Sequence, residues 1–113
     1  MKIKVKEKYE AVILELKGNV MGGEDTKDFN ELLHKLIDNG KKNVIIDLSG
    51  VKFMNSSGLG MLIGGLTTVK KAEGRLILAN VTDKIESLLI ITKLVTIFET
   101  ADNVDEAAKV FAP

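Results

Sequence analysis

Hydrophobic and polar positions alternate strictly over MKIKVKEKYE, with Ile3 and Val5 on one side and Lys2, Lys4, Lys6 and Lys8 on the other. A period of two predicts a half-buried strand, and lysines of this density suit the edge of a sheet. After a turn at Tyr9, AVILELKG (11–18) reads as a second strand antiparallel to the first, and GNVMGG (18–23) as a loop. The period then lengthens. Phe29, Leu32, Leu33, Leu36 and Ile37 recur at helical spacing behind Glu24 and Asp25, whose charges favour a helix N-terminus, and Gly40 is placed to end the helix. NVIIDL (43–48) is a continuous apolar run, predicting a central strand buried on both faces.

FMNSSGLGM (53–61) leads into a second helix over about 57–72, ended by Gly74. RLILAN (75–80) reads as a strand, and TDKIESLLIITKL as a helix capped by Thr82. VTIFET (95–100) reads as a short strand or extended segment, and NVDEAAKVF as a last helix capped by Asp102. The order β-β-α-β-α-β-α-β-α with short connections predicts an α/β fold: one domain over 1–113, a mixed, mostly parallel sheet and four flanking helices.

Composition narrows the function classes. Sixteen basic residues balance sixteen acidic ones, which argues against a nucleic-acid partner, and the absence of cysteine removes thiolate metal sites and disulfides. Neither a secretory leader nor an apolar run of the ~20 residues that span a bilayer is legible, so a cytoplasmic protein without membrane insertion is expected. Nothing in the pattern demands more than a monomer.

The paired serines at 56 and 57 carry the candidate chemistry. A serine nucleophile needs a base, and the only histidine, His34, falls in the middle of the first helix. NSSG also lacks the G-x-S-x-G elbow. Gly58 and Gly60 are followed by Gly64, one residue too late for a dinucleotide fingerprint, and no lysine follows as a P-loop requires. Gly60 and Gly64, one turn apart, would instead let the helix pack closely or present a flat face. Asp47 ends a central strand as a phospho-acceptor would, but without the acidic cluster and late lysine of such a site. No enzyme and no cofactor is expected. Asn55 or Ser56 suits the N-cap of the second helix, leaving a neighbouring hydroxyl free where a phosphoryl group would meet the positive helix end.

The run IIDLSGVKFMNSSGLGMLIG resembles the signature of the anti-sigma factor antagonists, the small STAS-domain proteins, in which D-L-S is followed by F-M and D-S-[ST]-G-L-G. That resemblance implies a STAS fold, phosphorylation of Ser56 (Ser57 as second choice), and two partners: an anti-sigma factor with serine kinase activity and a phosphoserine phosphatase. Unmodified protein would bind the anti-sigma kinase and release a sigma factor, and phosphorylated Ser56 would prevent that binding. The expected docking residues are Asn19, Gly23, Asp25, Met54, Asn55, Ser57, Gly58, Leu59 and Met61. Leu59, Met61 and Ile63 cannot all face one core on a helix of 3.6 residues per turn. The pattern's aspartate is Asn55 here, which keeps the cap and loses a negative charge. The alternative is a constitutive STAS interaction module of a transporter or signalling scaffold.

Overall fold

The computed structural model describes every residue, Met1–Pro113. Its five strands are β1 (Lys2–Lys8), β2 (Ala11–Val20), β3 (Asn43–Met54), β4 (Arg75–Ala79) and β5 (Glu99–Ala101), and its four helices are α1 (Glu24–Asp38), α2 (Ser56–Lys71), α3 (Asp83–Ile91) and α4 (Val104–Lys109). The strands lie in the sheet in chain order, β1 antiparallel to β2 and the others parallel. The hairpin between β1 and β2 turns on Tyr9, whose φ of 54° is left-handed, so that Lys8 faces Ala11.

Alternation along the inner strands divides the interior in two. Val12, Leu14, Leu16, Val44, Ile46, Leu48, Leu76 and Leu78 point to one side, where α1, α2 and α3 cover them with Phe29, Leu33, Leu62, Val69 and Leu89. Ala11, Ile13, Ile45, Ile77 and Ala79 point to the other, where α4 closes a smaller cluster with Ala107 and Ala108. NVIIDL is therefore buried on both faces, as its unbroken apolar run predicts.

Four boundaries differ from the sequence reading. β2 continues through Gly18 to Val20, and β3 through Ser49 and Gly50 to Met54, because the pair stays hydrogen-bonded across two register shifts, with Val20 opposite Met54. Bulges of this kind place turn-forming residues inside a strand. The segment 95–100 forms a strand only from Glu99 onward, Val95 to Ile97 being a turn. α4 is capped by Asn103, not Asp102: the Asn103 Oδ1 accepts the Glu106 N–H at 2.8 Å. Thr82 caps α3 as expected, accepting the Ile85 N–H at 3.4 Å.

Candidate functional site

The β2–β3 extension carries the candidate site beyond the body of the sheet. β3 ends at Met54, Asn55 turns the chain, and α2 begins at Ser56. The Asn55 side chain accepts the Gly58 N–H at 2.8 Å, while its carbonyl accepts the Leu59 N–H at 3.0 Å. The residue is thus a complete N-cap, and the first-turn N–H groups of Ser56 and Ser57 are left without an intrahelical acceptor. Replacing the cap, Asn55→Ala, is expected to cost about 1 kcal/mol in urea unfolding, whereas Asn55→Asp keeps the acceptor and should be neutral or slightly stabilising.

Two glycines weld this turn to the end of β2. A Cβ on Gly58 would lie 2.0 Å from the Val20 carbonyl oxygen, and one on Gly22 would lie 2.8 Å from the Ser57 Cβ. Only bare backbone permits both approaches. They bring the loop from Met21 to Gly23 against the first turn of α2, so Asn19, Gly23 and Asp25 share one end of the molecule with Asn55, Ser56 and Ser57. Both serines are exposed, as are Asn19 and Gly23, and Asp25 and Asn55 are half-buried.

The remaining expected docking residues are corrected by their burial. Leu59 (2 % exposed) and Met61 (1 %) pack into the main core, and Met54 and Gly58 are buried as well. Two large apolar side chains on α2 reach the core from opposite flanks because the helix is covered by α1 on one side and the sheet beneath. Ile63 is half-buried against the same core. The glycines that allow close packing are Gly58 and Gly65, the latter against the Phe29 ring; Gly60 and Gly64 have no heavy atom within 4 Å of a built Cβ. Those two open a flat strip on α2 that continues from Ser56 at intervals of four residues. No acidic residue occupies the first turn of α2. His34 is exposed on α1.

Asp47, expected at a strand end, lies inside β3 and has a structural task. Asp47 lies on the α4 side of the sheet, where its Oδ1 accepts the Ser49 N–H and the Asn80 side-chain amide, both at 3.0 Å. Burial alone would raise its pKa, but these hydrogen bonds and the nearby Lys6 outweigh it and hold the carboxyl below its ordinary value. Asn80 is left-handed, with φ of 56°, so the carboxylate pins an otherwise strained turn between β4 and α3. A carboxyl with a lowered folded pKa stabilises above its unfolded pKa, near 3.9, and that contribution fades as the pH falls through the folded value. Asp47→Asn should therefore cost about 1–2 kcal/mol at pH 7 and flatten the loss of stability below roughly pH 4, as measured by urea unfolding across pH.

The STAS-domain family model matches residues 2–107. The chain belongs to the STAS-domain family. It is similar to the anti-sigma-B factor antagonist of Staphylococcus aureus, 30% identical over 67 residues that cover 59% of this chain and 62% of that protein. The STAS chain thus matches under two thirds of that relative's length. Among solved structures, the phosphorylated form of the Bacillus cell fate determinant SpoIIAA superimposes with a TM-score of 0.73 at 20% identity, covering 96% of this chain and 99% of that one. A sulfate transporter family protein from Wolinella succinogenes gives 0.75 at 20% identity, over 88% and 84%. At these identities the likeness is one of fold. In this STAS domain no helix is long and apolar enough to cross a membrane.

Proposed function

We propose that this STAS protein is an anti-sigma factor antagonist switched at Ser56. In its unmodified state it binds an anti-sigma factor that is also an ATP-dependent serine kinase, which frees a sigma factor; phosphorylation of Ser56 ends that binding, and a phosphatase restores it. The observation that carries the reading is the position of Ser56: an exposed hydroxyl at the first helical position after a complete cap, with no acidic residue in that turn. A phosphoryl group there meets unpaired N–H groups and the positive helix end, so the fold tolerates it. A partner pressed against the same turn would have to desolvate nearly two added negative charges, so the contact does not tolerate it.

The docking surface in this proposal consists of Asn19 at the end of β2, Gly23 and Asp25 at the start of α1, Asn55 and Ser57 at the start of α2, and the flat Gly60–Gly64 strip of α2. The likeness to a named antagonist supports the same reading, whereas the fold shared with a transporter family protein supports the alternative of a constitutive module.

Immobilised protein, exposed to native lysate with a non-hydrolysable ATP analogue, is expected to retain a histidine-kinase-like ATPase. The eluted partner, given ATP, should add one phosphoryl group that tandem mass spectrometry assigns to Ser56. Retention of a transporter ATPase with no phosphoryl transfer would replace the switch by the module.

A further inference from the structure

Beyond the serine turn, a cleft of ≈ 350 Å³ opens between the last residues of β3 and one side of α3. Phe53, Met54, Leu88 and Ile91 line it, with Lys52 and Lys84 among its few polar members. Two features set it apart from an ordinary surface groove. Two of its large apolar side chains remain in water, Phe53 at 50% and Ile91 at 78% exposure, the latter the highest of any large apolar side chain in the protein. Its charge is of one sign: no carboxylate lines it, the acidic residues of α3 (Asp83 and Glu86) turn elsewhere, and neither lysine takes part in an ion pair. The Thr82 hydroxyl at its edge is already committed to capping α3.

We propose that this cleft binds a small amphipathic anion, a single alkyl chain bearing a carboxylate or phosphate head. The chain lies against Phe53, Leu88 and Ile91 over the buried Met54, removing the exposed surface of Phe53 and Ile91 from water, and the head is held by Lys52 and Lys84. The volume falls at the low end of that of small-molecule sites, which suits a chain of roughly eight to twelve carbons. A neutral hydrocarbon would leave both cations without a counter-charge, and a hydrophilic anion would leave the apolar floor wet. The inference rests on the cleft alone and stands or falls independently of phosphorylation at Ser56.

The test is a titration of ¹⁵N-labelled protein with monomeric sodium decanoate at low ionic strength, followed by NMR. Saturable shifts are expected at the amides of Phe53, Met54, Leu88 and Ile91. The double variant Lys52→Ala/Lys84→Ala should weaken binding roughly three- to tenfold, since both contacts are solvent-exposed. Ser87→Trp, at an exposed lining position, should fill the cleft and abolish the shifts while the rest of the spectrum stays native. Decanol, with the same chain and no charge, should bind more weakly than decanoate. An absence of saturable shifts at Phe53 and Ile91, or shifts unchanged in Ser87→Trp, overturns the proposal. So does retention on phosphatidylglycerol vesicles without binding of free decanoate, which would make the patch a membrane-facing surface instead of a ligand cavity.

Discussion

Gly58→Ala is expected to lower stability by about 3 kcal/mol, a fall in Tm of roughly 10–15 °C for a domain of this size. The added methyl would sit 2.0 Å from the Val20 carbonyl oxygen and 2.8 Å from its carbon, both backbone atoms that no rotamer change can move aside. Relief requires α2 to lift from the end of β2, and that movement would also strain the Asn55 cap and loosen Leu59 and Met61 in the core. Gly60→Ala is the matched control. Its Cβ meets nothing within 4 Å, so it exchanges an exposed helical glycine for the best helix former and should stabilise by about 0.5–1 kcal/mol. Urea unfolding of the two variants should give shifts of opposite sign. A loss of less than about 1 kcal/mol in Gly58→Ala would mean that the β2–α2 junction relaxes more freely than its geometry indicates.

Ser56→Asp is expected to weaken binding of the anti-sigma kinase by at least about thirtyfold, the lower end of the cost of an unpaired charge in an interface. The same substitution should leave the fold intact, because a carboxylate at the first helical position faces the positive end of α2. Circular dichroism and urea unfolding would separate the two effects, with stability within about 0.5 kcal/mol of wild type. Ser56→Ala should keep the partner and refuse the phosphoryl group. Ser57→Asp adds the same charge one residue later, beside Gly22, and tells whether charge anywhere in the turn suffices. Equal affinity of wild type and Ser56→Asp, measured by calorimetry with the purified partner, would remove Ser56 as the control point.

The sheet and its helices were legible because their signals are periodic. Alternation in β1, the unbroken run of NVIIDL and the i, i+3, i+4 spacing in α1 each specify an element without reference to the rest of the chain. What escaped was set by contacts between distant segments. NVIIDL reads as a strand ending at Leu48, yet pairing of Gly50 and Val51 with Lys17 and Gly18 carries β3 on to Met54 across its irregularities. The same held at the candidate site. The serine turn and its cap could be read from residue types, since Asn, Ser and Gly have local preferences that decide a helix start. The orientation of Leu59 and Met61 could not, because a helix packed between α1 and the sheet buries more than one stripe, and nothing in the sequence of α2 shows that α1 lies across it. Nor could the roles of Gly58 and Gly60 be told apart without Val20, which lies 38 positions earlier. The cleft beside α3 had no signal at all, its two walls being separated in sequence and joined only by the fold.

The welding of α2 to β2 through Gly58 bears on how Ser56 can be recognised. A kinase that draws its target into a groove as an extended peptide would have to unwind the first turn of α2, break the Asn55 cap and separate Gly58 from Val20. An enzyme acting on the intact protein must instead accept the serine on a preformed helical corner, with Asn19 and Gly23 beside it. The substrate is then a shape assembled from two distant segments of the chain, and a synthetic peptide spanning 53–61, though it holds every residue of the motif, would be a poor one.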